Sequence, residues 1–479
     1  MSWNSPSQYT KGAGSRRRKL FIFAFVLVAI IFLLSLRPVQ QFSPVSSLLP
    51  VNDVDKNIDY PPSYERLRNW EDSLPQHNPD LPLPEGSHGR FVIFPERRKK
   101  LGWNNCLNEI LMDSYLAYKS KRAFVFRDYV WAIKHYPWSI AKLRNWPPRT
   151  PLNALLSGPT AGGPWGEGDK APRSVSEEYF NRVCPKSKRR IINTRDIRPD
   201  AEANLDSGKV VFDRWVDLLL NAPERCIEIQ SPSVQHDDHW QVFGMFMWAS
   251  DRILDLWEEF RDSPVSQLLE TSPVVNAAVA RNEYLFIPRN RGSTAKSHSP
   301  YDRMMAIHIR RGDYKEQCLD LARWNSMFYG WTLLPSLPDK FVLPPEGTSP
   351  SDHAAAYLER CLPDFDAIVR KIRTSRQDYL NSNQNAQQPT LDTLYILTNE
   401  HSEWLMKLKE HLRGEGWDLI VTSQDLVLDA EGVDVSMAVD MDIARRAAVF
   451  LGNGWSSMTS NIVHRRLVDG KEPISIRFY

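Results

Sequence analysis

This chain of 479 residues has little cysteine and lacks two common signatures of lumenal and metal-binding proteins. Its five cysteines include no Cys-x-x-Cys pair, which excludes a zinc knuckle. It has no Asn-x-Ser/Thr sequon, so we expect no N-glycosylation. Neither sign of charge is in excess, since 60 Lys and Arg face 58 Asp and Glu. Without an excess of positive charge, the composition does not indicate nucleic-acid binding. We find no internal repeat.

The apolar run Leu20–Leu36 carries no charge and follows the basic cluster Arg16–Lys19. At ~1.5 Å per residue it just spans a thin bilayer, and the basic side stays cytosolic. A cleaved signal peptide is the alternative, but Arg37–Phe42 makes a poor cleavage site. We therefore predict a cytosolic tail (1–19), a transmembrane signal anchor (20–36) and a single-pass type II membrane protein facing the lumen of the endoplasmic reticulum or Golgi.

Residues 37–89 are rich in Pro, Ser, Asn and Asp, which predicts a stem or linker with one short helix at Tyr64–Glu71. The remaining chain is too long for one typical core. We expect two domains, at 90–295 and 296–479. Five cysteines fit an oxidising lumen, with a few bridges and one thiol left over.

Strand and helix patterns alternate after residue 90, which predicts an α/β fold with parallel sheets and right-handed crossovers. Strands are predicted at 90–95, 122–127, 284–287 or 304–309, 393–398, 417–421 and 448–454. Helices are predicted at 106–120, 357–373, 404–413 and 435–448. Gly102–Asn105 has the composition of a turn, and 131–184, crowded with Pro, Gly and Trp, that of a long surface loop.

The run Met304–Tyr314 passes from apolar residues directly into fixed charge. This pattern is typical of a buried parallel strand that is followed by polar residues at the carboxyl edge of its sheet, where ligands bind. There Arg310 and Arg311 offer guanidinium forks that suit phosphate oxygens. The alternative is a structural ion pair between either arginine and Asp313.

A second pattern, Phe450–Arg466, is a strand that ends in Gly-Asn-Gly and continues through serines into an apolar helix. Backbone N–H groups at a helix N-terminus, together with the hydroxyls of Ser456 and Ser457, can cradle a phosphate. The alternative is ordinary N-capping by either serine. Combined with the arginine pair, this pattern favours a diphosphate site.

These motifs resemble those of the protein O-fucosyltransferases. The resemblance rests on His308–Lys315 with Cys318, Cys361–Asp364, Tyr395–Asn399 and Phe450–Thr459 in this order, and on the turn Gly102–Asn105. It covers most of 90–479 and is weak between about 131 and 282. It implies a GT-B-like fold of two Rossmann-like domains facing a cleft, with 90–295 on the acceptor side and 296–479 binding the nucleotide sugar. It also implies GDP-fucose as donor, a protein hydroxyl as acceptor, inversion at the sugar, and neither metal nor cofactor.

The resemblance also implies roles for single residues. Arg310 matches the arginine that holds the β-phosphate and the leaving oxygen, and Asn105 matches an asparagine on the sugar side. The remaining matches are to donor-binding positions: His308, Asp313, Ser456, Ser457 and Met458. Two positions depart from the family, since Met458 stands where an aromatic is usual and Arg311 is not shared by every branch.

The general base is not fixed by these patterns. Glu109, one turn into the helix after Asn105, is our candidate, and a core-facing or solvated carboxylate is the alternative. The resemblance further implies that Cys318 and Cys361 form a disulfide.

Two other clusters have possible metal ligands. Asp440-Met441-Asp442 is a DxD, but it lies in a helical pattern, whereas a metal-binding DxD normally ends a strand. We interpret it as a solvated or capping helix face, with Asp440 near the donor. His236–His239 has zinc-ligand types without a further ligand, so a solvated loop is the preferred interpretation.

Two alternative functions remain open from the sequence. The first is another nucleotide-sugar transferase that acts on glycans. The second is a non-catalytic, membrane-anchored sugar-binding protein. A plain sugar binder needs no diphosphate site made from both arginines and a serine-rich turn, and this chain has both.

Overall fold

The computed structural model describes residues 60–95, 101–139, 148–197, 206–230, 243–288, 299–312, 314–382 and 390–479. The predicted cytosolic tail, signal anchor and first part of the stem lie outside these residues. Within them, no helix combines the length and apolar character that crossing a bilayer requires.

The first half of the described chain contains nine short strands. These are β1 Phe91–Ile93, β2 Ala123–Phe126, β3 Tyr129–Val130, β4 Arg149–Thr150, β5 Leu156–Ser157, β6 Val175–Ser176, β7 Arg190–Asn193, β8 Cys226–Gln230 and β9 Glu270–Thr271. Five of them form a parallel sheet in the order β6-β2-β1-β8-β7, and β3-β4 and β5-β9 are antiparallel pairs.

The helices of this half flank the sheet and the two antiparallel pairs. They are α1 Glu65–Asp72, α2 Trp103–Lys119, α3 Leu152–Leu155, α4 Glu177–Val183, α5 Thr194–Ile197, α6 Gly208–Asn221, α7 Met245–Trp248, α8 Trp257–Arg261, α9 Pro264–Gln267 and α10 Pro273–Asn282.

The second half contains another five-stranded parallel sheet. Its strands are β10 Met304–Ile309, β11 Thr393–Thr398, β12 Leu419–Thr422, β13 Val449–Gly452 and β14 Ile476–Phe478, in the order β12-β11-β10-β13-β14. Its helices are α11 Tyr314–Arg323, α12 Pro350–Cys361, α13 Phe365–Ser382, α14 Glu403–Arg413, α15 Ala430–Asp434, α16 Ser436–Arg446 and α17 Ser457–Val468.

The central strand β10 is buried along its whole length, which explains its unbroken apolar sequence. Met304 and Ala306 join the larger hydrophobic core, whereas Met305 and Ile307 join a separate core on the other face of the sheet. This alternation follows from the two-residue period of a strand. The predicted α/β fold with parallel sheets is therefore confirmed.

The described residues belong to one compact unit. The predicted domain boundary at 295/296 falls in the stretch 289–298, outside the described residues, and it stays a prediction.

Residues 60–89 pack against the rest of the chain, so the predicted stem is wrong for this stretch. The predicted short helix is present as α1. Gln76 is buried and donates from Nε2 to the carbonyls of Gly162 (2.8 Å) and Ser174 (2.9 Å). His77 is also buried and accepts from the Ser176 backbone at 3.1 Å. These hydrogen bonds to residues outside the segment keep it ordered despite its proline content.

The carboxylate of Asp434 joins three distant parts of the chain. It is fully buried and accepts hydrogen bonds from Tyr64 Oη (2.9 Å), Trp138 Nε1 (2.8 Å) and Thr150 Oγ1 (2.7 Å). Burial raises the pKa of Asp434, and the three donors oppose that rise. The cluster ties α1 and the β3-β4 region to the second half of the chain.

Several predicted boundaries need correction. Trp103, Asn104 and Asn105 form the first turn of α2 rather than a preceding turn. The single helix predicted at 357–373 is two helices, because Pro363 cannot continue a helix, and α13 begins only at Phe365. The stretch predicted as a strand at 284–287 is mostly the 3-10 helix Glu283–Phe286.

The predicted surface loop at 131–184 is more ordered than its composition indicates. It supplies the edge strand β6 and the helix α4, and Trp138, Leu152 and Tyr179 within it are buried.

Two disulfides are present. Cys318–Cys361 joins α11 to α12, as the family resemblance implied, and Cys184–Cys226 joins the end of α4 to β8. Each closes a loop of 42 or 43 residues. A loop of that length gives about 4 kcal/mol in the chain-entropy model. Cys106 is buried and lies outside both bridges.

The Asp434 cluster gives a stability prediction. Tyr64→Phe removes one donor to a buried carboxylate, so we expect the free energy of unfolding to fall by about 1.5–3 kcal/mol. Chemical denaturation would measure it. Tyr284→Phe is the matched control, since Tyr284 is exposed. Equal stability of the two variants would contradict the packing of α1 on this cluster.

Candidate functional site

The candidate site lies at the carboxyl ends of β10 and β13. The chain runs from β10 to β11 and β12 on one side of the sheet, then returns to place β13 and β14 on the other side. The order of strands therefore reverses between β10 and β13. In open parallel sheets such a reversal opens a crevice at the carboxyl edge, and ligands bind there.

His308 connects the end of β10 to helix α17. It is buried, and its Nδ1 lies 3.2 Å from Thr459 Oγ1. Burial, with a smaller contribution from the nearby charge of Arg310, lowers the pKa of His308 to about 3. The imidazole is therefore neutral at physiological pH and fixes the strand end against the helix.

Arg310 is the first residue after β10 and is partly buried. Its guanidinium carbon lies 5.8 Å from the ring centroid of Tyr314. Burial raises the pKa of Tyr314 to about 12, and the charge of Arg310 opposes that rise. The structure thus holds a guanidinium beside a neutral imidazole and a neutral phenol at the sheet's carboxyl edge.

Arg311 has a different set of contacts. Its Nη1 donates to the Pro363 carbonyl at 2.9 Å, and its guanidinium lies 4.2 Å from the ring centroid of Trp404. Its backbone N–H and carbonyl both bond the amide side chain of Asn399, each at 3.1 Å. These contacts anchor the loop after β10, and they distinguish the two adjacent arginines.

The Gly452–Gly454 turn packs too tightly for any other residue. A Cβ on Gly452 would lie 2.5 Å from Thr459, and one on Gly454 would lie 2.4 Å from Phe328. Asn453 braces the turn, since its side chain donates to the Cys361 carbonyl at 2.7 Å and accepts from the Trp455 N–H at 3.0 Å. The turn therefore sets the direction in which α17 starts.

Helix α17 begins without a capping side chain. Ser456 occupies its N-cap position and makes no side-chain capping hydrogen bond, so the N-capping alternative is not observed for this residue. Ser456, Ser457 and Met458 are all partly exposed. The first N–H groups of a helix have no intrahelical acceptor, and the helix dipole favours an anion beside them. This N-terminus can receive phosphate oxygens.

Asp440 lies in α16, as its helical pattern predicted. Its carboxylate accepts hydrogen bonds from Tyr395 on β11 and from Ser423 Oγ, the latter at 2.9 Å. Burial raises its pKa to about 6, although both hydrogen bonds oppose the rise. Asp440 is thus held beside the second sheet.

Asp442 takes a different environment from Asp440. It is buried, accepts from Thr271 Oγ1 and forms an ion pair with Arg446 at 2.6 Å. Two positions along a helix correspond to a rotation of about 200°, so the two carboxylates diverge. Asp442 is a buried structural acid rather than the solvated face that we predicted.

The N-terminus of α2 meets helix α17. Asn461 Nδ2 donates to the Asn104 backbone carbonyl at 2.9 Å and lies 3.2 Å from Asn104 Oδ1. Asn105 is partly exposed beside this contact. Because α2 follows β1 and α17 follows β13, the carboxyl edges of the two sheets are brought together.

Glu109, our candidate base, is buried one turn further along α2. Burial raises the pKa of the Tyr329 phenol, and the negative charge of Glu109 adds to that rise, which places the carboxylate near this ring. Tyr329 in turn donates from its backbone to the Gly454 carbonyl at 2.9 Å. Glu109 and the glycine turn are thus linked through one tyrosine.

Two predicted positions cannot be placed. Asp313 and the cluster His236–His239 lie outside the described residues. Among the residues that are described, no group of three or more metal-ligand side chains is close enough together to hold an ion.

Sequence reasoning missed several residues that organise this region. Thr459 and Asn399 lay inside recognised motifs, but their partners depend on strand order. Tyr395 lay inside the motif Tyr395–Asn399 and Asn461 inside the pattern Phe450–Arg466, but neither pattern indicated the partners of these residues, and Tyr329 gave no signal.

Comparisons with known proteins found likeness in structure only. No protein-family model matches the chain, and no curated protein matches it. POFUT1 in complex with GDP is 13% identical over 79% of this chain and 94% of that chain, with a TM-score of 0.39. POFUT1 in complex with GDP-fucose is 14% identical over the same shares, with a TM-score of 0.38. Fucosyltransferase NodZ from Bradyrhizobium is 14% identical over 78% of this chain and 91% of that chain, with a TM-score of 0.36.

The environment of Asp440 gives a pH prediction. Its pKa in the folded protein lies above the ordinary aspartate value, so its contribution to stability is complete at low pH and is lost as the pH rises through about 6. Relative to Asp440→Asn, we expect the wild-type free energy of unfolding to fall by on the order of 2 kcal/mol between about pH 4 and pH 7.

Denaturant titrations at several pH values would measure this difference. Asp418→Asn, at an exposed aspartate, is the matched control. The same pH dependence for both variants would contradict the assignment to Asp440.

Proposed function

We propose that this chain is a GDP-fucose-dependent fucosyltransferase that transfers fucose to a protein hydroxyl with inversion. The observation that carries the proposal is the position of Arg310 and of the N-terminus of α17 at the carboxyl ends of the neighbouring strands β10 and β13, where the strand order reverses. An arginine and a helix N-terminus together suit a diphosphate better than a neutral sugar. The choice of GDP and fucose comes from the motifs shared with the protein O-fucosyltransferases.

The proposed reaction builds negative charge on the leaving nucleotide. The acceptor oxygen attacks C1 of fucose, the bond from C1 to the β-phosphate oxygen breaks, and its electron pair stays with GDP. Arg310 and the first N–H groups of α17 would stabilise that charge, because they are already oriented before the bond breaks. Neutral His308 holds Thr459 and so fixes the helix relative to the arginine.

The acceptor proton needs a base. Glu109 is the carboxylate that we propose, since α2 carries it at the side of the cleft where Asn104 contacts Asn461. Asn105, at the start of the same helix, would contact the sugar. Ser456, Ser457 and Met458 would bind the phosphates, and Asp440 would bind the nucleotide near its base.

The two sheets and their facing carboxyl edges support a GT-B-like arrangement, in which the first half binds the acceptor and the second binds the nucleotide. We also propose a single-pass type II membrane protein of the endoplasmic reticulum or Golgi. The anchor rests on the sequence of Leu20–Leu36. Two disulfides suit an oxidising lumen.

A donor panel tests the proposal. The purified full chain, with a glycan and a peptide acceptor in separate reactions, would be given GDP-fucose, GDP-mannose, UDP-glucose and UDP-N-acetylglucosamine. We expect nucleotide release with GDP-fucose and the peptide. Turnover of another nucleotide sugar, or of the glycan alone, would assign a different transferase. Binding without turnover would indicate a sugar-binding protein.

The arginine gives a sharp prediction for catalysis. Arg310→Ala should lower kcat by about a hundredfold or more, which corresponds to ~3 kcal/mol of lost transition-state stabilisation. Arg310→Lys should also be poor, since a point charge cannot reproduce a planar fork. Steady-state kinetics would measure both variants.

Arg311→Lys is the matched control, because Arg311 is engaged with Pro363 and Trp404. A wild-type kcat in a folded Arg310→Ala protein would contradict the assignment of the donor site to Arg310.

Metal removal gives an independent prediction. Asp440 and Asp442 are bonded to different residues on diverging sides of α16, so they are not arranged as a shared metal site. We expect fucose transfer to survive EDTA. Loss of activity with EDTA and its recovery with manganese would contradict the assignment of charge stabilisation to Arg310. Asp442→Asn should destabilise the fold, because that carboxylate is buried in an ion pair with Arg446.

A further inference from the structure

A cleft separate from the α17 N-terminus lies between the two halves of the chain. It is lined by residues of α2, the β5-β9 pair, α16 and α17. Its apolar walls include Leu107, Leu156, Met441 and Ile462. We call it the interhelix cleft. None of the roles proposed above uses it.

Arg465 lines this cleft and is poorly paired for a buried cation. Its side chain is 8% exposed, and its hydrogen bonding to the described residues is limited to one long contact, from Nη1 to the Ser266 carbonyl at 3.3 Å. No carboxylate of the described residues lies within 4.0 Å of its guanidinium. A guanidinium has five donors, and leaving them unmatched in a buried setting is costly.

The acids around Arg465 are committed elsewhere. Asp469 forms a bidentate ion pair with Arg445, whose Nε and Nη2 lie 2.6 and 2.7 Å from the two carboxylate oxygens. Asp442 is held by Thr271 and by Arg446. Glu270 lines the cleft but is exposed at its edge. Arg465 is therefore a guanidinium of the interhelix cleft that no described carboxylate pairs directly, although Asp442 and Glu270 also line the cleft.

Trp103 lines the same cleft and is 3% exposed. Its ring packs edge-on to Tyr129, with the ring centroids 5.3 Å apart, so it belongs to the apolar wall of the cleft.

We propose that the interhelix cleft binds a small organic monocarboxylate, with its carboxylate paired to Arg465 and its apolar chain against Leu107, Leu156 and Ile462. A single negative charge on the ligand can pair with the guanidinium of Arg465. A second negative charge would be repelled by the carboxylates of Glu270 and Asp442. The proposal does not depend on the donor assigned above.

Hexanoate is the probe, tested on the full chain at pH 7 by isothermal titration, with hexanol and acetate for comparison. We expect hexanoate to bind at least about tenfold more tightly than either, because each lacks one half of the recognition. No binding of hexanoate, or equal binding of hexanol, would overturn the proposal.

Two variants locate the site. Arg465→Gln should weaken hexanoate about tenfold or more and leave hexanol unchanged. Glu270→Gln, at an exposed position that does not endanger folding, should strengthen hexanoate binding in low salt, because it removes the negative charge at the rim. Arg373→Gln, an exposed arginine outside the cleft, is the matched control. A hexanoate affinity that neither Arg465→Gln nor Glu270→Gln alters would contradict the assignment. If Arg465→Gln does not fold, an unchanged hexanoate affinity in Glu270→Gln would contradict it alone.

Discussion

Helix α17 is the element on which the rest of the structure depends. Its first turn contacts His308 through Thr459, and its middle contacts α2 through Asn461. Further along, His464 Nε2 lies 2.7 Å from Ser266 Oγ. One helix therefore fixes the central strand of the second sheet against the helix that follows β1 of the first sheet. Moving α17 would change the candidate site and the contact between the halves together.

Buried charge is handled in this protein by dense local bonding. Arg466 is fully buried, and it donates to the carbonyls at the end of α16, including Ala444 (3.1 Å) and Ala448 (2.9 Å), and to Ser475 Oγ at 2.9 Å. Arg122 does the same at the end of α6, where it donates to the carbonyls of Leu219, Ala222 and Glu224. Arg465, the neighbour of Arg466, makes one long contact. This contrast within one helix is the reason that Arg465 stands out.

The parts of the fold that follow local rules could be predicted from the sequence. The strands β10 and β11 are unbroken apolar runs, and the helical spacing around Asp440 correctly placed the DxD in a helix. The positions of Arg310 and the serine turn at strand ends followed from the same patterns. Their meeting at one crevice depends on strand order, which local patterns do not contain.

Other features depend on contacts between residues far apart in the sequence. Residues 60–89 have the composition of a linker, yet Tyr64 reaches Asp434, 370 positions away. The pairing of Cys184 with Cys226 and the contact of Asn461 with Asn104 have the same origin. The different surroundings of Arg310 and Arg311 arise from Pro363 and Trp404, which lie on other elements. Tertiary packing decides each of these, and no short motif records it.

The most direct test of the central claim is a crystal structure of the protein with GDP bound. The β-phosphate should lie within hydrogen-bond distance of the Arg310 guanidinium and of the backbone N–H groups at the start of α17. GDP bound elsewhere, or a β-phosphate that contacts neither group, would contradict a diphosphate site between β10 and β13.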